Sequence, residues 1–462
     1  MSASGATPPS VTFAPPVPWP TPRVWKAYRL AIWVLGALLA LHGASTLAIA
    51  KRALLTISKD TVPSIIAAEE IGYALADLDA NVANALLGTP QHRQLAANTI
   101  EKERVTVTDR IIDAAENITY GDAERQPIRE LTRNLGLYLE RAAEARLRLE
   151  QGDAGGARAT YWQATEILHK NLLVAAASLD AANKSQLEAA YESGIKETEG
   201  AEVVSCLLGA MLVAALITLE IKLARRTRRI LSLPLVLATL LAMILPVLLA
   251  YRFTAARSSL RVAKADAFDS VHALIRARAI AYDLNGDESR FLLDPGDAHG
   301  FGAVFKSKVA QLTTNPLAPT PSTVELAVRK RSTKPKESGL FWDELDNLTF
   351  PGEYDTASRM VGGFRSYMTI DAKIRKLAAS GNLPDAIELA IGDRPDESNA
   401  VFARMDDALV STVAINRAAF DREMSGTEES LTATERVSIV LSLFIAGLTW
   451  LGLRPRLREY AE

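Results

Sequence analysis

Residues 203–251 read VVSCLLGAMLVAALITLEIKLARRTRRILSLPLVLATLLAMILPVLLAY. Two apolar runs, 203–219 and 230–251, flank a short basic loop, and neither contains a Lys, Arg, Asp or Glu. Each reaches the roughly 17–25 residues that a helix needs to cross a bilayer core. The pattern is that of a helical hairpin through a membrane. Working outward, runs of the same kind recur at 30–50 and 437–453. The sequence therefore predicts four transmembrane helices, at 30–50, 203–221, 230–251 and 437–453. Two large domains lie between them, at 51–202 and 252–436.

Positively charged flanks stay cytoplasmic, and this bias orients the spans. Arg23, Lys26 and Arg29 precede the first span. The loop 222–229 carries Lys222, Arg225, Arg226, Arg228 and Arg229, and the tail 454–462 carries Arg454, Arg456 and Arg458. All three clusters fall on one side of a four-span chain. Both large domains are then extracytoplasmic, and both termini are cytoplasmic. Lys51, Arg52, Arg252 and Arg257 sit on the outer flank and oppose the bias only locally. The first run is longer than the roughly 7–15 residues of a signal-peptide core, so it reads as an anchor that stays in place. The Pro-, Ser- and Ala-rich segment ahead of it, within 1–29, is expected to be a disordered tail.

Composition fits a membrane protein with large polar parts: 48% hydrophobic, 23% charged, net charge −2. No basic patch suggests nucleic-acid binding. The single cysteine, Cys206, lies within the second span, so the outer domains are expected to fold without an intrachain disulfide.

Each outer domain reads as a four-helix bundle. Ile65, Ile66, Ile71, Leu75, Leu78, Val82 and Leu86 recur at three- and four-residue spacing, the stripe of an amphipathic helix. Gly88-Thr89-Pro90 ends it. Further helices are expected at about 92–116, at about 122–151, and from about 157 into the second span. The second domain repeats this plan. Asp77-Leu78 and Leu86-Leu87 are answered by Asp283-Leu284 and Leu292-Leu293 at the same internal spacing. Asn117-Ile118-Thr119-Tyr120 is answered by Asn347-Leu348-Thr349-Phe350. Tyr138, Arg146, Gly152 and Ala157 are answered by Tyr367, Arg375, Gly381 and Ala386. The fold class is thus an all-α membrane protein with four spans and two tandem extracytoplasmic bundles. The repeat breaks at about 313–339, where four prolines suggest a surface loop.

Catalytic and metal-binding signatures are missing from the sequence, so no enzyme activity, cofactor or metal is expected. The five histidines show no paired spacing. His42, inside a span, reads as a neutral imidazole bonded to a neighbouring helix. Asp287-Glu288 and Asp406-Asp407 are adjacent carboxylates, which point to different helix faces and read as solvated. The Asn-x-Thr motifs recur at the same place in both copies, so a capping role is expected, with Thr or Asn accepting a backbone N–H. Arg225, Arg226, Arg228 and Arg229 form the candidate cytoplasmic contact surface. Tyr138 with Arg146, and Tyr367 with Arg375, are the candidate ligand-lining pairs.

Three segments resemble the four-pass membrane sensors of the GlnX type, found in actinobacterial glutamate/glutamine-sensing operons. They are the loop and span entry at 225–235; the segment 283–294 with Asp287-Glu288-Ser289; and the segment 344–353, which holds Asn347-Leu348-Thr349-Phe350. The resemblance implies a relay from an extracytoplasmic amino-acid-binding lipoprotein, docked on the outer bundles, to a soluble serine/threonine kinase inside. It carries over no catalytic residue. Two other readings stay open at this point: a receptor binding a small molecule directly in its bundles, and a structural or accessory membrane scaffold. The sequence does not decide whether the chain forms a homo-oligomer.

Overall fold

The structure is a computed structural model that describes residues 21–227, 232–294, 296, 299–315, 338–392 and 394–458. Every regular element among them is helical. The N-terminal tail expected to be disordered and most of the Pro-rich loop of the second repeat lie outside the described residues.

Packing divides the chain into two compact units. One holds the described residues of 1–48, 197–254 and 430–462; the other holds those of 49–196 and 255–429. Four helices long and apolar enough to cross a membrane contribute to the first unit: α1 (Thr21–Leu55), α6 (Leu173–Thr227), α7 (Leu233–Arg261) and α13 (Ser398–Arg458). Without a hydrophobic force between helices in lipid, small residues at the contacts allow close packing. Gly209 illustrates this: a Cβ there would meet the Pro246 ring at 2.5 Å. Trp33 donates its indole N–H to the Ala446 carbonyl at 3.1 Å. His42 Nε2 lies 3.2 Å from the Ala201 carbonyl, the neighbouring-helix bond expected of it.

The larger unit holds both stretches read as bundles. It contains α2 (Val62–Leu87), α3 (Pro90–Glu116), α4 (Asp122–Glu150) and α5 (Ala154–Ile167) from the first repeat. From the second come α8 (Asp269–Leu293), α9 (Phe301–Leu312), α10 (Leu340–Asp346), α11 (Glu353–Ala379) and α12 (Leu383–Ile391). The helix ends α3 and α4 fall within two residues of the sequence expectation. Parts of α6 and α13 complete the unit.

α2 and α8, the first helices of the two repeats, pack side by side. α2 is buried on nearly all sides, as a helix with apolar residues all round must be. The side-chain bonds between the two helices join residues 205 and 211 apart. That separation is close to the repeat spacing between Asp77 and Asp283, so the two helices run parallel and nearly in register.

The duplication is written into the backbone as well. A π-helical stretch precedes each first helix, at Thr56–Thr61 and at Val262–Phe268. A π turn holds one residue more than an α turn and disturbs the carbonyl ladder. In both copies an asparagine repairs it. Asn117 donates to the Asp60 carbonyl at 3.0 Å and to Ser64 Oγ at 2.7 Å. Asn347 donates to the Ala265 and Asp266 carbonyls at 2.9 and 3.1 Å and to Ser270 Oγ at 3.0 Å.

This corrects the capping role expected for the Asn-x-Thr motif. Asn is a donor to the π turn, and Thr119 and Thr349 donate to the carbonyls of Asn117 and Asn347. The following backbone N–H groups are accepted by carboxylates instead. Glu124 takes those of Thr119 and Tyr120 at 2.8 and 2.6 Å; Glu353 takes those of Thr349 and Phe350 at 2.6 and 2.8 Å. An ionised carboxylate outcompetes a hydroxyl for two converging N–H groups because charge-assisted bonds are stronger.

Replacing Asn347 by Ala removes the donor to two backbone carbonyls. A loss of about 1–3 kcal/mol is expected, read as a lower unfolding temperature of the detergent-solubilised chain. A second prediction concerns Glu344, buried beside Glu353 with neither carboxylate oxygen in a well-formed hydrogen bond. Burial first, then the Glu353 charge, pushes its pKa up to about 8. The folded state therefore keeps a proton that the unfolded chain releases, and this group's contribution to stability falls as pH rises from about 4.5 to about 8. Glu344→Gln should raise the unfolding temperature clearly at about pH 9 and little at about pH 5; an equal gain at both would refute the account.

Candidate functional site

The contact between α2 and α8 carries a buried charge network. Arg290, near the end of α8, is completely buried. Its side chain needs space beside its own helix, and Gly286 provides it: a Cβ there would meet Arg290 Nη2 at 2.8 Å. The guanidinium reaches across to α2, where Nη2 and Nε bond Asp79 Oδ2 at 2.7 and 3.2 Å. On its own helix Nη1 bonds Asp283 at 3.0 Å and makes a short bond with Asp287. Lys308 from α9 bridges Asp283 and Asp287, 2.6 Å from each. His169, in the π-helical stretch Leu168–Leu172, places Nε2 3.0 Å from Asp283.

Asp79 is enclosed further by its own repeat. The hydroxyls of Tyr138 and Tyr161 each donate to it at 2.8 Å. Burial and then the Asp79 charge push both phenols well above their ordinary pKa, so they remain donors. Burial alone would raise the Asp283 carboxyl, but Lys308, His169 and Arg290 hold it well below the carboxylate range. Three buried acidic side chains thus face a guanidinium, an amine, an imidazole and two phenols. Next to the network Ser289 donates to Asn84 at 2.6 Å, a second cross-repeat bond.

A second polar cluster belongs to the other repeat. Glu288 is buried beside Asp371, Arg375 and Ser398; burial, then the Asp371 charge, pushes its pKa well up. Arg375 binds Asp371 at 2.9 Å and lies over the rings of Phe305 and Phe291, 4.3 and 4.6 Å from their centroids. Glu288 Oε2, Arg375 Nη2 and the hydroxyls of Tyr367 and Ser398 are buried with no well-formed hydrogen bond. Elsewhere in this unit Glu69, Asp180 and His272 bring three potential metal ligands together.

The structure places the candidate residues unequally. Tyr138 is buried against Asp79, while Arg146 is half-buried about two turns further along the same helix and shares no well-formed hydrogen bond with it. Tyr367 and Arg375 do converge on one buried cluster, around Glu288. Arg225 is exposed, the side chain of Arg226 is outside the described residues, and so are Arg228 and Arg229. One reading is overturned: Asp287, Glu288 and Asp406 are buried, not solvated. α8 is covered on more than one face, so adjacent carboxylates pointing apart both end inside. Asp406 accepts two bonds from Arg278, at 2.6 and 2.8 Å, and only Asp407 of that pair is exposed. Asp79, Tyr161, His169, Arg290 and Lys308 were not singled out by the sequence. The signal was slight: Asp79 is one of four carboxylates in α2, and Arg290 stands where Asn84 stands in the first repeat.

Residues 53–192, the first repeat up to the second span, match the model of a family described as an actinobacterial sensor domain. No curated protein and no solved structure matches the chain. The match covers Asp79, Tyr138, Tyr161 and His169, the half of the charge network that the first repeat supplies.

Removing one partner of a buried ion pair typically costs about 3–5 kcal/mol, because the other charge stays buried and uncompensated. Arg290→Met should therefore lower stability by about that amount. Adding Asp79→Leu should restore part of the loss. A double-mutant cycle with purely additive effects would show that the two residues are not coupled.

Proposed function

We propose that this chain is a non-enzymatic transmembrane sensor that relays extracytoplasmic amino-acid availability, through a docked solute-binding lipoprotein, to a cytoplasmic serine/threonine kinase. The observation that carries the reading is the sensor-domain match over 53–192, in a chain whose apolar helices run without interruption into the sensor-bearing unit. α6 and α13 each continue from one unit into the other. A shift of about 1–2 Å along such a helix is the scale on which receptors switch. The charge bias described above supports a large unit outside the cell and a loop with Arg225, Arg226, Arg228 and Arg229 inside. The lipoprotein, the kinase and the amino-acid signal come from the GlnX-type resemblance.

A second reading is supported by the orphaned polar atoms around Glu288. Arg375, Tyr367 and Ser398 could hold an amino-acid-sized ligand directly once the bundle opens, with no lipoprotein involved.

Two measurements separate these readings. Cysteines introduced at exposed positions 91 and 381 should react with an impermeant thiol reagent in intact cells. The purified chain should retain an amino-acid-loaded binding lipoprotein and give no calorimetric heat with free amino acids. Heat that disappears in Arg375→Ala would instead establish direct binding. Thiols at both positions that react only after permeabilisation would overturn the outward topology and the relay with it.

A further inference from the structure

The repeat symmetry supplies a built-in control for one polar cluster. His272 of α8 occupies the position that Ile66 occupies in α2, and Glu69 of α2 the position that Ile275 occupies in α8. The pair Glu69–His272 is therefore the repeat image of the pair Ile275–Ile66. The latter pair is ordinary hydrocarbon: both isoleucines are buried in one apolar cluster, with Val413 packed against it. The fold is satisfied by aliphatic side chains at this level. On one side of the pseudo-symmetric contact it carries an imidazole and carboxylates instead.

We infer that Glu69, Asp180 and His272 form a binding site for a divalent transition-metal ion, with Zn2+ the best match to one imidazole nitrogen and two carboxylate oxygens. The three donors come from three different helices, α2, α6 and α8, and their ligand atoms all lie within 4.8 Å of one another. His272 Nε2 is 3.0 Å from Asp180 Oδ1 and 3.7 Å from Glu69 Oε1. Ligand atoms about 2.0–2.2 Å from a tetrahedral Zn2+ stand about 3.3–3.6 Å apart, so these distances bracket that spacing. Imidazole and carboxylate are both good partners for that ion.

Three features favour an ion over a purely structural cluster. The side chains are nearly buried, with only 8% of His272, 11% of Glu69 and 13% of Asp180 exposed. Glu69 accepts no well-formed hydrogen bond among the described residues, and the imidazole stands 3.7 Å from it. The nearby cations do not take the ion's place: Arg276 and Lys184 influence Glu69, yet neither comes within ion-pair distance of Glu69 or Asp180 among the described residues.

Of the three donors, Glu69 also lines a cavity of about 160 Å³, together with Gly72, Ala176, Arg276 and Asp283. The ring of Phe268 stacks on His272, 6.0 Å between centroids, and fixes the plane of the imidazole. An ion at this position would lock α2, α6 and α8 together. This inference stands apart from the relay reading, because it concerns metal binding alone.

The test uses the full chain, purified in detergent with a tag other than polyhistidine, stripped with EDTA and equilibrated with ZnCl2. After gel filtration, elemental analysis should find about one Zn2+ per chain, and Co2+ in its place should give a visible absorption band. Glu69→Gln and His272→Gln should each weaken retention at least about tenfold and abolish the band, while exposed His299→Gln changes neither. Circular dichroism confirms that the variants are folded. Glu69→Gln is the safer substitution, since it keeps the size and shape of the side chain while removing its charge. Wild-type protein that retains no Zn2+ after filtration, or retention unchanged in folded Glu69→Gln, would overturn the proposal.

Discussion

A guanidinium taken wholly out of water must be surrounded by acceptors, and most of the large helical unit is arranged so that Arg290 is. Its partners come from both repeats: Asp79 from one, Asp283 and Asp287 from the other. Desolvating these charges is expensive, and hydrocarbon of the same shape would often serve stability as well or better. What ions give and hydrocarbon does not is register. A slide of α2 past α8 by one turn would separate Arg290 from Asp79 and strand both. The apolar faces of the two helices, rich in alanine, would tolerate such a slide. The ion pair makes one alignment of the repeats far better than its neighbours.

The two repeats share a plan and differ in chemistry. Each has a π turn held by an asparagine, and each has a carboxylate that gathers two backbone N–H groups. Above this common base they diverge. Asp79 becomes Asn285 at the equivalent position, Asn84 becomes Arg290, and Ile66 becomes His272. Duplication provided two surfaces that could pack in parallel. Divergence then placed opposite charges across that contact, so the pair is no longer interchangeable.

Much of the architecture was legible in the sequence because it rests on long-range composition. Apolar runs of the right length, basic loops and helix stop signals such as Gly88-Thr89-Pro90 need no tertiary information. Helices α3 and α4 begin and end close to where the sequence placed them. The charge network was not legible. A carboxylate in a helix is ordinarily solvated, and the pattern alone cannot tell whether a second helix covers it. Asp287-Glu288 was read as surface for that reason, although both side chains are buried. The repeated Asn-x-Thr turns lie between these extremes. Their structural importance showed in their recurrence, but their hydrogen-bond roles depended on π turns that no periodicity announces. Tyr367 and Arg375 border one buried cluster, whereas Tyr138 is bonded to Asp79 and Arg146 is not part of that network.

The paired π turns also record history. A surplus residue in a helix is a local accident, tolerated only once something nearby has been recruited to mend the ladder. Both copies show the same accident at the same turn, mended by the same asparagine and the same serine, Ser64 in one and Ser270 in the other. Two independent insertions, each followed by the same repair, would be a long coincidence. A bulge and remedy already present in one ancestral unit before a tandem copying would account for both with a single event.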